Sequence, residues 1–204
     1  MKISVLLLSM TLAITAVAQD RMPEIPPEKM TPEQKKAAEE FLATRHTPVF
    51  GPFVPLLRSP QVMLRFKEFG DYLRYKSTLP PKLNEFVILI TARQWTQNYE
   101  WATHAPIALK AGLNPEIVKA VADGRRPAAM SEDEDLVYEF SIELHRNQSV
   151  SDATYQRALA RFGEQTVMDM IGVNGYYTAL AMVLNTARTP LPKGSSPDLV
   201  PWPH

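Results

Sequence analysis

Between Pro80 and Gly112 the chain reads PPKLNEFVILITARQWTQNYEWATHAPIALKAG, and a few of its polar residues have the makings of an acid/base unit. Glu100 and His104 stand four residues apart. On a helix that spacing means about 40° of rotation and about 6 Å of rise, so the two side chains share one face. Around them lie Tyr99, Trp101, Ala102, Ala105, Ile107 and Leu109. A carboxylate beside an imidazole in such apolar surroundings can hold and move a proton near neutral pH. The spacing by itself is weak, because a chain with 22 acidic residues and four histidines meets it often by chance. It fits equally a buried histidine satisfied by a neighbouring carboxylate.

Two helices must position this unit. Pro80 and Pro81 suit a helix start, where a missing N–H costs little. From Leu83 to Trp95 the run LNEFVILITARQW is apolar on nearly every side, which predicts a buried helix. A second begins near Asn98 and stops at Gly112. Further helices follow from caps and periodicity. Thr31-Pro32-Glu33-Gln34 opens one with Ala37, Phe41 and Leu42 inward, and Ser59 caps another, Pro60 to Tyr75, with Val62, Leu64, Phe66, Phe69 and Leu73 as its inner face. Asn114-Pro115-Glu116 starts a short helix ended by Gly124. Ser131 to Glu134 forms a capping box, its acids reading as a capped, solvated helix start rather than a metal site. Ser151 caps a helix that stops at Gly163, and the last long one runs from Gln165 to about Thr186. In it Gly172 and Gly175 allow close helix approach. No strand pattern, internal repeat or glycine-rich phosphate loop is found, so the fold class is all-α.

The pattern LPPKLNEFVILITARQ followed by NYEWATHAPIALKAGLNPEIVKAVADG resembles the carboxymuconolactone decarboxylase superfamily, which also contains the alkylhydroperoxidase D proteins. The resemblance covers roughly residues 62–189 and implies a compact multi-helix domain of the alkylhydroperoxidase D-like type. In the peroxidase branch a Glu precedes a Cys-x-x-Cys pair and a His. With His104 on that His, Glu85 falls on the Glu, and Gln97 and Glu100 stand where the cysteines would be. The chain has no cysteine, so thiol peroxidase chemistry is excluded. Glu-x-x-x-His in the second helix then looks like the decarboxylase branch, where the His is thought to shuttle a proton. The resemblance implies a lyase or isomerase acting beside a carbonyl, lactone or carboxylate of a small molecule. His104 would be the acid/base, Glu100 would orient and polarise it, and Glu85 would be a second carboxylate on the same pocket. Tyr99, Trp95 and Trp101 would wall that pocket. Arg93 either pairs a substrate carboxylate or forms a structural ion pair with Glu85 or another acid. No cofactor and no metal are expected. A metal-dependent variant, with Glu100 and His104 as ligands and Glu85 as the third, stays open, as does a non-catalytic binding or assembly protein. The resemblance also implies a homo-oligomer, trimer or hexamer.

Residues 1–18 read as an export signal. Lys2 gives a positive start, Ile3 to Ile14 a short apolar core, and Ala16-Val17-Ala18 a small-x-small cleavage site before Gln19. The protein is therefore expected in the periplasm or the medium. The 22 basic residues balance the 22 acidic ones, and cleavage would remove Lys2 alone, leaving 21 against 22. That balance points to neither nucleic acid nor an anionic membrane as partner. Residues 19–60 read as an extension with one helix, rich in proline, and 61–189 as the helical domain. Residues 190–204 are a Pro-rich tail in which Trp202 is the expected anchor.

Overall fold

A helix buried on all sides organises the molecule. The computed structural model describes residues 19–196 and 198–201, so the expected export segment and Trp202 lie outside the described residues. In chain order the helices are α1 (Pro32–Arg45), α2 (Phe53–Leu56), α3 (Pro60–Tyr75), α4 (Pro81–Gln94), α5 (Asn98–Lys110), α6 (Pro115–Ala122), α7 (Glu132–Asn147) and α8 (Asp152–Ala187). A 3-10 turn, Pro27–Lys29, precedes them, and no strand occurs among the described residues. Every residue of α4 from Leu83 to Arg93 is buried. Helices α5, α6, α7 and α8 all pack against it. Burial of Phe86, Val87, Ile88, Leu89 and Ile90 contributes roughly 1.5–3 kcal/mol each, which is why an apolar run with so little amphipathicity becomes the centre.

Local signals in the sequence account for most helix starts. Thr31 and Ser131 both make capping boxes, with Gln34 and Glu134 reaching back to the cap. Asn114 and Ser151 also accept hydrogen bonds from their first turns. Ser59 makes no side-chain cap, so α3 starts on Pro60 alone. The acids of α7 are held by cations: Lys82 Nζ lies 2.8 Å from Glu134, and Arg161 Nε lies 2.5 Å from Asp133. Helix α8 is broken at Gly163, whose φ of 78° and ψ of 165° stop one helix and start the next. It is long and apolar enough to cross a membrane, but 56% of its most apolar stretch is buried inside the protein, as suits a core helix.

The inner face of α3 differs from the sequence expectation. Met63, Lys67, Gly70 and Leu73 are buried, whereas Val62 and Phe69 are exposed. Lys67 turns inward because Asp71 takes its ammonium at 3.0 Å, and Asp71 is also paired by Arg45 at 2.7 Å. Gly70 is buried because the Tyr176 hydroxyl of α8 occupies the space a Cβ would need. Leu42 of α1 is likewise exposed, leaving Ala37 and Phe41 to face inward. The extension clamps to α3 through the Arg45–Asp71 pair, and the Arg45 guanidinium also sits 4.7 Å from the Phe53 ring centre of α2.

Candidate functional site

Glu85, from the first turns of α4, and His104, from the middle of α5, meet in the interior. His104 Nδ1 lies 2.7 Å from Glu85 Oε2, a hydrogen-bonded and charge-assisted distance when the ring is protonated. Its Nε2 faces Glu100 Oε2 at 3.5 Å. Both carboxylates and the imidazole are buried, His104 to 3% exposure. The three residues are thus brought together, with the imidazole between the two acids. Glu85, rather than Glu100, is the tight partner that fixes the ring.

Glu100 is held differently. Its Oε1 is buried and has no hydrogen-bond partner. Burial raises its pKa, partly opposed by His104 and Arg74, and Glu85 adds to the rise. Tyr177 from α8 closes one side, its ring meeting the His104 ring edge-on at 5.1 Å between centres. Burial pushes the Tyr177 phenol well up, so it stays protonated as a wall or donor.

The angle between α4 and α5 is set by a three-residue turn. Thr96 adopts φ 45°, a left-handed conformation that a β-branched residue takes only under constraint. Gln97 supplies that constraint: its Oε1 accepts from Tyr99 N at 2.6 Å, and its Nε2 donates to Asn185 Oδ1 of α8 at 2.7 Å. Asn185 in turn donates to the Trp95 carbonyl at 3.2 Å. Gln97, for which the sequence resemblance suggests the place of a cysteine, is therefore a structural latch.

The remaining expected pocket residues are spread out. Tyr99 is half-buried and lays its ring on Gly51, where an added Cβ would come within 2.7 Å of the hydroxyl. Trp101 joins the hydrophobic core, and Trp95 caps the end of α4. Arg93 lies eight residues beyond Glu85 on α4, roughly 12 Å along the helix. Its Nη1 donates to the Val200 carbonyl at 2.8 Å, so it holds the C-terminal tail and not a pocket at Glu85. Asn98 completes that clamp by bonding Leu199 in both directions, and Leu199 is buried.

No group of three or more His, Asp or Glu is arranged to hold a metal ion among the described residues. His104 turns one ring nitrogen to each acid, so the three donors do not converge on a common point. A second polar cluster had no sequence signal. Thr91 Oγ1 lies 3.1 Å from His145 Nε2 and donates to Asn174 Oδ1 at 3.4 Å, while Asn174 donates to Ser141 and to the Met170 carbonyl. Burial lowers the His145 pKa, partly offset by Asn174, which suits a neutral structural imidazole tying α4, α7 and α8. The apolar depression of about 620 Å³ between the extension, α1 and α2 shares no lining residue with the acid/base cluster.

Residues 60–136 match the sequence model of the carboxymuconolactone decarboxylase family. The chain resembles that family in sequence and the alkylhydroperoxidase D-like proteins in fold. An alkylhydroperoxidase AhpD core protein, peroxidase-related, from Ralstonia eutropha JMP134 superposes with a TM-score of 0.64 at 16% identity, over 81% of this chain and 88% of its own. A peroxidase-related protein from Silicibacter sp. TM1040 gives 0.69 at 14% identity, over 91% and 96%. The debrominase Bmp8, as a cysteine-to-alanine variant in complex with 2,3,4-tribromopyrrole, gives 0.64 at 9% identity, over 86% and 94%. No curated protein sequence matches the chain.

Proposed function

We propose that the protein is an exported lyase or isomerase that moves a proton next to a carbonyl or lactone of a small molecule, with Glu100 as the exchanging group. One observation carries this reading: a buried carboxyl oxygen without a hydrogen-bond partner, on a residue that faces an imidazole held by a second acid. A buried polar atom left unpartnered costs about 1–3 kcal/mol, a cost that structural sites avoid and catalytic sites accept. Burial keeps the Glu100 carboxyl protonated to higher pH than usual, so it can give a proton to a developing enolate or take one from a C–H beside a carbonyl. His104 replenishes or removes that proton through Nε2, and Glu85 stabilises the imidazolium through Nδ1. In a decarboxylation the C–C bond breaks, carbon dioxide leaves, the electron pair passes to the carbonyl oxygen as an enolate, and the proton from Glu100 then returns to carbon. A small-molecule substrate is supported by the fold likeness to Bmp8, which is in complex with a small ring compound, 2,3,4-tribromopyrrole.

The test is deuterium exchange. In D₂O, NMR should show the wild type accelerating exchange of the hydrogens beside the carbonyl in one or more of a panel of small carboxylated lactones and keto acids. Glu100→Gln and His104→Gln should each lower that rate about 100-fold or more, with unchanged helical circular dichroism. A wild type inert to the whole panel, or a fully active Glu100→Gln, would remove the reading. Export is supported by Lys2, the apolar run and Ala16-Val17-Ala18. N-terminal sequencing of protein from the native host should begin at Gln19, and an intact Met1 in the cytoplasm would overturn it.

A further inference from the structure

Arg93 is engaged with the tail, but another arginine, within the electrostatic reach of Glu85 and Glu100, lines a depression open to solvent. Arg74, in the last turn of α3, lines a depression of about 300 Å³ with Thr44, Thr47, Phe50, Tyr75 and the Arg45–Asp71 pair. The two carboxylate oxygens of Asp71 are already taken, Oδ1 by Arg45 and Oδ2 by Lys67. Arg74 makes no ion pair with Asp71. Among the described residues its guanidinium makes no hydrogen bond and no ion pair, and its carbon lies 5.3 Å from the centre of the Tyr75 ring. A half-buried guanidinium with five N–H donors unspent is a binding site for a planar oxoanion, since its fork matches a carboxylate in two parallel bonds. Phe50 and Tyr75, both partly exposed, supply aromatic faces on the same depression.

We propose that this depression is a subsite for the carboxylate end of a small aromatic acid, with Arg74 gripping the carboxylate and Phe50 and Tyr75 flanking the ring. The subsite is linked to the acid/base cluster through neighbouring residues of the chain. Phe50 precedes Gly51, on which the Tyr99 ring rests, and Tyr99 precedes Glu100. Burial works against the charge on Arg74, but Tyr177, Tyr75, Glu85 and Glu100 outweigh it and raise its pKa, which places the guanidinium in the field of both carboxylates. Thr44, Thr47 and Phe50 belong to the extension, ahead of residue 60 where the family match begins, so this chain's own extension builds the mouth of the site. The inference rests on the acid/base reading for its catalytic meaning and names the substrate class of that site.

Binding of benzoate to the full chain, followed by saturation-transfer NMR and calorimetry, tests it. Benzoate should bind saturably at roughly millimolar strength, and the neutral benzamide at least about tenfold more weakly. Arg74→Gln should weaken benzoate by about tenfold to a hundredfold, the range for one charge-assisted contact. Tyr75→Leu, at a position exposed enough not to disturb folding, should weaken it about threefold, consistent with loss of one aromatic contact. His104→Gln should leave benzoate binding unchanged while losing proton exchange, which separates failure of the acid/base reading from failure of the subsite. Equal binding of benzamide, unaltered binding by a folded Arg74→Gln, or no benzoate binding at 10-fold above about 1 mM would overturn the proposal.

Discussion

Glu100 stores a cost that the rest of the molecule tolerates. Its folded-state pKa is raised above the unfolded value of 4.5, with burial as the largest cause. The sign follows from linkage: the stability tied to its protonated form is fully present below about pH 4.5 and is lost as the pH rises through the folded value. At neutral pH the wild type thus carries a penalty that an amide would not. His104 keeps its other acid, Glu85, at 2.7 Å, so replacing Glu100 does not leave the ring without an acidic partner. Glu100→Gln should therefore be more stable than the wild type at pH 8, by about 1 kcal/mol or more, and the gap should shrink as the pH falls towards 5. Urea titrations at the two pH values measure it. A variant no more stable than the wild type at pH 8 would mean that Glu100 is a satisfied structural group, and the activity reading would lose its footing with it.

At the level of elements, the sequence made the helices plain and their faces less so. Helix α4 was legible because an unbroken apolar run has only one stable place, the centre. The caps at Thr31, Ser131 and Ser151 were legible because cap chemistry is local and needs no knowledge of the fold. The inner face of α3 was not, since Lys67 and Gly70 look like surface and spacer residues until Asp71 and Tyr176 are placed against them. The same limit explains the site. Glu100 and His104 share a helix face, so their pairing could be read from spacing, and Glu85 came from the family resemblance. Arg93 could not be assigned, because its partner is the backbone carbonyl of Val200, far along the chain. Nor could the latch at Thr96, Gln97 and Asn185, in which ordinary polar residues become decisive only once α8 lies beside the turn. Pro106 is a further case: it sits inside α5 two residues after His104 and offers no N–H to the carbonyl of Ala102, yet the helix continues.

For the whole molecule, the outward apolar residues form a pattern that one copy leaves uncovered. On α8, Met168, Ile171, Gly175, Thr178 and Met182 follow one another at alternating steps of three and four, the spacing of a helix–helix seam. Met168 is 63% exposed and Met182 48%, and Ile171 is exposed as well. On the neighbouring α3, Val62 and Phe69 are exposed, with Phe69 lying against Gly172 of α8, so the two strips adjoin in one patch. Gly175 is exposed with open space where a Cβ would be. A glycine in an exposed helix costs about 1 kcal/mol relative to alanine, and close approach of a second backbone is a physical reason to keep one. We propose a second copy of the chain as the occupant of this face, as the family resemblance also implies. Light scattering after gel filtration should find the wild type at a multiple of the 23.0 kDa chain mass, or of the slightly smaller processed chain. Ile171→Glu and Met182→Glu should shift it to the monomer with helical content intact, because neither side chain belongs to the buried core. Gly175→Ala should weaken the assembly while stabilising the isolated monomer, a combination that no purely internal role for Gly175 produces. A wild type that remains monomeric at tens of micromolar, roughly the range where stable oligomers persist, would leave the seam without its partner and refute this assembly.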